Sequence, residues 1–177
     1  MIYKKIKATD YPVFFKEYEK DPLCCRLSLL PDENGKNIVA KGLWSQIDEL
    51  PENCILVETQ QIGGTLIGFS EFVCLVSFDT HAPYWMSKLA HYLKDKGLDA
   101  RIDGNDVMAD GYKIGGFATR KLENSELTYY SAGIPIDLDL SLVQQICKKP
   151  MKKIPRGLSA WGITRKDILT ALDVEEE

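Results

Sequence analysis

Residues 104–120 read GNDVMADGYKIGGFATR, and much of the fold can be read outward from them. Asp110-Gly111 is a turn signal, because these residue types tolerate the positive φ that a two-residue hairpin loop requires. "NDVM" stands before the turn and "YKIGGFATR" after it, so the stretch predicts a β-hairpin with Ala109-Asp110-Gly111 at its tip. Lys113 is the oddity: a lysine between Tyr112 and Ile114, just before Gly115-Gly116, where a strand should be entering the body of the protein. An ammonium placed there either reaches back to the surface or holds something anionic. Taken alone, the surface reading is the commoner one, since lysines are mostly exposed.

Upstream, "HAPYWMSKLAHYLKDKGL" predicts a helix with Asp79 or Thr80 as cap, Tyr84, Trp85, Leu89, Tyr92 and Leu93 near helical spacing, and Gly97 as terminator. Ile55–Val57 and Val73–Phe78 read as buried strands with Gly63-Gly64 breaking the path between them. "CCRLSLLPDENGKNIVAKGLW" reads as two strands around a turn, and "TDYPVFFKEYEKDP" as a short helix started near Thr9 or Asp10. Downstream, "ELTYYSAGIPID" reads as a strand, "LDLSLVQQICKK" as a helix begun at Asp137 or Asp139, and "TRKDILTAL" as a last helix capped by Thr164. Strands joined by turns and interspersed with helices predict an α+β fold with a mixed or antiparallel sheet.

The chain has 177 residues, which predicts a single domain over residues 1–177. Its 45% hydrophobic and 27% charged content is that of a soluble globular protein. With 22 basic against 26 acidic side chains, the net charge of -4 argues against nucleic acid or a membrane surface as partner. No segment has the apolar run of a signal peptide or a membrane span, so a cytoplasmic location is expected. The five cysteines (Cys24, Cys25, Cys54, Cys74, Cys147) include no CxxC pair, and His81 and His91 are the only histidines. Free thiols are therefore expected, and no metal site.

Three stretches are candidate sites. Gly63-Gly64 in "TQQIGGTLIGF" could expose amides to phosphate or carboxylate oxygens, although a glycine pair is more often a bulge or bend. In the opening stretch, Lys113 could neutralise a carboxylate or phosphate during acyl transfer, with Asn105 and Asp106 fixing a ribose, an amide or a magnesium ion. "KKPMKKIPRG", Lys148–Gly157, could attract an acidic group, but such a run is more often a solvated loop.

Taken together and in this order, the segments resemble the biotin/lipoate protein ligase family, most closely its lipoate-protein ligase and octanoyltransferase branches. "GNDVMADGYKIGGFATR" is similar to that family's Asn-Asp followed by Asp-Gly-x-Lys-h-x-Gly-x-Ala, with h apolar. "QQIGGTLIGFSEFVCLVSF" resembles its Arg-Arg-x-x-Gly-Gly segment and following strand, and "SAGIPIDLDLSLVQQIC" and "KIPRGLSAWGITRKDILTAL" resemble what comes after. The likeness spans roughly Ile55–Leu172, leaving residues 1–50 divergent. It implies the ligase-type catalytic-domain fold, with Lys113 contacting an acyl carboxyl or its adenylate. It further implies an acyl pocket walled by Gly63, Gly64, Thr65, Gly115, Gly116 and Ala118, and a nucleotide site at Asn105 and Asp106.

The implied reaction attaches lipoate, octanoate or a related acid to a lysine of a lipoyl carrier domain, with ATP and Mg2+ or an acyl carrier as the source of activation. The attacking amine belongs to the partner, which agrees with the lack of a Ser-His or Cys-His pair. This chain departs from the pattern at Gln60-Gln61, where the family has Arg-Arg, and at Thr65 and Phe69-Ser70, where it has a third glycine and His-Asp. Leu98–Gly104 contains no cysteine, so the cysteine-dependent transferase chemistry is not expected. Two functions follow: a lipoate-type ligase or acyltransferase, or a degenerate relative that binds a small acid, a nucleotide or a protein without turnover.

Overall fold

The computed structural model describes residues 1–20, 26–47, 49–61, 67–78, 84–123, 125–147 and 150–177. In chain order these form β1 (Ile2–Lys7), α1 (Tyr11–Lys20), β2 (Arg26–Leu30), β3 (Asn37–Lys41), β4 (Cys54–Glu58), β5 (Ile67–Phe69) and β6 (Glu71–Ser77). There follow α2 (Trp85–Asp95), β7 (Ala100–Asp103), β8 (Asp106–Ala109), β9 (Tyr112–Lys121), β10 (Thr128–Asp137), α3 (Leu140–Ile146), α4 (Arg165–Ala171) and β11 (Glu175–Glu176). Eight of the described strands build one mixed sheet in the order β11-β1-β2-β6-β10-β9-β8-β7, and three build a second in the order β4-β3-β5. β1 runs parallel to β2 and β11, β3 parallel to β4, and the remaining neighbours are antiparallel. The architecture is the α+β fold expected from the sequence.

Alternation along the central strands divides the core in two. One face of the large sheet, with Val73, Leu75, Val107, Ile114, Ala132, Ile134 and Ile136, packs under α2 and α4. Its other face, with Leu27, Leu29, Phe72, Cys74, Val76 and Tyr129, packs against Tyr11 and Phe15 of α1 and Ile38, Val57 and Phe69 of the small sheet. Because both faces are covered, Phe72–Ser77 of β6 are all buried. α2 fits its face because Trp85, Leu89 and Leu93 recur every four residues and are all buried. α3 packs on the small sheet through Leu142 and Ile146 against Val39 and Cys54.

Local chemistry sets the element ends. Asp110 (φ 48) and Gly111 (φ 83) turn the β8–β9 hairpin with the positive angles that its two-residue loop needs. Asp139 caps α3 by accepting from the Ser141 and Leu142 amides, and Thr164 with Asp167 forms a capping box at α4. Beyond α3, Ile154–Arg156 lies beside β9: the Lys113 amide donates to Ile154 O (2.8 Å) and the Arg156 amide to Lys113 O (3.0 Å). The next residue must be glycine for steric reasons, since a Cβ on Gly157 would stand 2.6 Å from Ile136 O and 2.9 Å from Leu138 N.

Some expectations change. β2 and β3 exist but do not pair: β2 lies between β1 and β6, and the turn after Pro31 carries the chain to the other sheet. β4 is only half buried, with Leu56 40% exposed, because it is the edge of the small sheet. The N-cap of α2 is Tyr84, which is exposed and makes no side-chain cap bond; Asp79 and Thr80 lie outside the described residues. β1, β5, β7 and β11 were not read from the sequence. Among the described residues no helix is long and apolar enough to cross a membrane.

Candidate functional site

The β8–β9 register pairs Asp106 with Gly116, Val107 with Gly115, Met108 with Lys113 and Ala109 with Tyr112, so Ile114 is one residue too many. This β-bulge turns two consecutive residues toward the helices. Ile114 belongs to the core beneath α2, and a Cβ on Gly115 would touch Leu89, Ile134 and Phe117 at 3.3 Å. Gly116 faces the other way, where a Cβ would lie 3.5 Å from Lys113 Nζ and 3.8 Å from Asp106 Oδ1. Lys113, Asp106 and Gly116 thus meet on the face turned away from α2 and α4.

Lys113 Nζ is 2.9 Å from Asp106 Oδ1, and its side chain is 20% exposed. The second oxygen of that carboxylate, Oδ2, is held at 2.8 Å by Lys153 Nζ, which also reaches Asp103 Oδ2 at 3.2 Å and donates to Asp103 O at 3.0 Å. Two ammoniums and two carboxylates therefore close a neutral cluster at the β7–β8 turn. Burial pushes the Asp106 carboxyl up, but the hydrogen bonds from Lys113 and Lys153 outweigh it and hold it below the usual Asp range. Lys153 is raised, chiefly by its bond to Asp106 and against the effect of desolvation. An ammonium has three donors, and among the described residues Lys113 spends one on Asp106.

Next to this cluster the sheet carries small side chains. Gly116 and Ala118 of β9 pair with Gly133 and Ser131 of β10, and Gly133 pairs with Cys74 of β6, giving a floor of small residues. Ser131 Oγ is buried and has no hydrogen-bond partner in ordinary geometry among the described residues. Beside it the Tyr11 hydroxyl donates to Tyr129 Oη (3.1 Å), and burial raises both phenols well above their ordinary range. Burial also pushes the Cys74 thiol up to about 12, which keeps it neutral and unreactive. At the far end of the floor Arg120 Nη1 donates to Gln60 O and Gln60 Oε1, both at 3.3 Å. A guanidinium from β9 thus stands at the connection whose own positions 60 and 61 are glutamines.

Of the residues singled out from the sequence, the structure brings together Lys113, Asp106 and Gly116, and puts Ala118 on the same face. Gly115 packs into the opposite core. Asn105 is an exposed turn residue whose carbonyl accepts from the Phe117 amide (2.8 Å). Gly63, Gly64 and Thr65, like Cys24, Cys25 and His81, lie outside the described residues. Two residues of this cluster and floor were missed. Arg120 closed the quoted stretch, but only the bulge tells that it shares a face with Lys113. Lys153 was one of five charges in a basic run, and nothing local announces a contact 47 residues away. That run is not simply solvated, because Lys153 is in the cluster and the Arg156 guanidinium lies 4.6 Å from the Tyr112 ring and 5.0 Å from the Trp161 ring.

The magnesium implied for Asp106 does not fit these residues. Both Asp106 oxygens already carry an ammonium, and a divalent ion would have to displace one of them. Among the described residues no group of three or more His, Cys, Asp and Glu side chains could hold a metal.

No protein-family model and no curated protein matches the sequence. Solved structures do match its fold. LipL1 of P. falciparum, in complex with lipoate, superimposes with a TM-score of 0.69 over 97% of this chain at 14% identity, and this chain spans 59% of that protein's length. A lipoate-protein ligase A bound with ATP gives 0.66 at 14% identity, covering 100% of this chain and 88% of that one. The bi-partite lipoate protein ligase of Thermoplasma acidophilum, from a study of that archaeal lipoylation system and its E2 lipoyl domain, gives 0.65 at 14% identity, covering 99% and 84%. The chain has the fold of the lipoate-protein ligases.

Proposed function

We propose that this chain binds a small carboxylic acid of the lipoate or octanoate class along the β9–β10 floor and passes it to a lysine of a lipoyl carrier domain. The observation that carries the reading is Lys113: a largely buried cation, aimed by Asp106, beside a sheet surface left bare by Gly116 and Ala118. A slender acid laid on that floor would bring its carboxylate to the two remaining Lys113 donors. The same ammonium would then stabilise charge on the acyl carboxyl or on the phosphoryl oxygen of an acyl-adenylate as it develops. The carrier lysine supplies the attacking nitrogen; the carbon–nitrogen bond forms as the bond to AMP, or to an acyl-carrier thiol, breaks. Gly63, Gly64 and Thr65 are proposed to complete the acyl pocket, and Asn105 to border the nucleotide. The lipoate, ATP and lipoyl domain named for the three similar structures support this reading.

Gln60-Gln61 favours a second reading, binding without turnover, because the family's paired arginines are absent there. Arg120 weighs against it by keeping a guanidinium bonded to Gln60.

Incubation with ATP, magnesium, lipoate or octanoate and a lipoyl carrier domain, followed by intact mass of the carrier, tests the enzyme. Acylation should appear and fall by about 10²- to 10³-fold in Lys113→Ala, the usual loss when one stabilising donor is removed. No acylation with either acid, or with an acyl-carrier donor, would leave binding alone, which a rise in melting temperature with the same acids would reveal.

A further inference from the structure

Lys153 occupies an unusual position. Its ammonium is met by Asp106 Oδ2 at 2.8 Å, Asp103 O at 3.0 Å and Asp103 Oδ2 at 3.2 Å, so a carbonyl and two carboxylates converge on one point at the β7–β8 turn. Converging oxygens of this kind are the donors that hard divalent cations take. Here a tethered cation has them instead. The tether is firm: the carbonyl of the next residue, Ile154, accepts from the Lys113 amide, so the segment that delivers Lys153 is fastened to the strand that carries Lys113. A divalent ion on Asp106 Oδ2 would have to expel that ammonium. It would also sit across a single carboxylate from the charge of Lys113, on Oδ1.

We infer that Lys153 is a positioning residue that fills the cation seat of this site, fixing Asp106 for Lys113 in place of a protein-held divalent metal. Asp106 then keeps Oδ1 turned to Lys113 without a metal, and any magnesium in the reaction enters on the phosphates of the nucleotide. The inference rests on Lys113 being the ligand-facing cation, but its test contains no substrate, so it stands or falls separately from carrier acylation.

The test is a titration of Mn2+ into the full chain, with free Mn2+ read from its aqueous EPR signal. The parent should show no site that depends on Asp106. Lys153→Met, close in shape but uncharged, should gain one Mn2+ at least about tenfold tighter than anything in the parent, as expected when two carboxylates and a carbonyl are uncovered. Lys153→Arg should restore the parent's behaviour, and Lys153→Met with Asp106→Asn should abolish the gain. A lysine that merely tethered the loop would not produce this pattern. Mn2+ uptake by the parent that Asp106→Asn removes would overturn the inference. So would a Lys153→Met protein with a parent-like melting curve and no added Mn2+ site.

Discussion

Gly157→Ala tests how the segment bearing Lys153 is held against the sheet. Gly157 has φ -76 and ψ 145, angles open to any residue, so alanine adds no backbone strain. The whole effect is steric: the new Cβ would stand 2.6 Å from Ile136 O and 2.9 Å from Leu138 N, and neither backbone atom can swing away as a side chain would. The segment must move outward by roughly 0.5–1 Å, a shift typically costing about 1–3 kcal/mol in a well-packed site. If it carries Arg156 with it, the two hydrogen bonds to Lys113 weaken too, adding up to about 0.5–1.5 kcal/mol each. Urea unfolding followed by circular dichroism should show a midpoint lowered by at least about 0.5 M at unchanged slope, taking a slope of about 2 kcal/mol/M. Gly116→Ala is the control: its Cβ would meet Lys113 Nζ at an ordinary 3.5 Å, and its midpoint should stay within about 0.25 M of the parent. A Gly157→Ala midpoint equal to the parent's would refute the close-approach argument.

Glu176 gives a pH prediction. Burial raises its carboxyl, but hydrogen bonds from Arg165 and Ser28 outweigh this and hold it below the usual Glu range. A depressed carboxylate contributes stability that is complete above its unfolded pKa of about 4.3 and is lost as pH falls through the folded value. The difference in urea midpoint between the parent and Glu176→Gln should therefore be constant near neutrality and shrink below about pH 4; a difference unchanged at pH 3 would contradict the assignment. Thr164→Ala removes the reciprocal cap of α4 and should cost about 1 kcal/mol. For a domain of this size that lowers the melting temperature by about 2–4 °C, so an unshifted melt would show that the cap is not stabilising.

The sequence was most legible where local chemistry decides the outcome. Asp110-Gly111 announced its hairpin, Thr164 its cap, and Trp85, Leu89 and Leu93 their helix, because turns, caps and helical stripes are set within a few residues. The contact of Lys113 with Asp106 follows from the same hairpin. β1 was illegible because its buried residues, Tyr3 and Ile6, are three apart and four of the six positions are exposed, which is no strand alternation. β11 consists of two glutamates, one of them, Glu176, held by Arg165, eleven positions earlier in the chain, and by Ser28 of β2. The separation of β2 and β3 into different sheets, like the reach of Lys153, depends on what the rest of the chain covers.

The extra residue at Ile114 has a consequence for counting. Along a regular strand, positions an odd number apart point to opposite sides, so in a bulge-free β9 of this length Lys113 would stand opposite Gly116, Ala118 and Arg120. The bulge absorbs one surplus residue, and the Lys113 and Arg120 side chains come to stand over the same surface, one at each end of the small-residue floor. The common face of these two cations thus depends on the local irregularity in the strand, independently of which residue fills it. A chain shortened by Ile114 would pass from Lys113 to Gly116 in two regular steps and keep the shared orientation without a bulge, whereas a bulge-free strand of the present length would lose it.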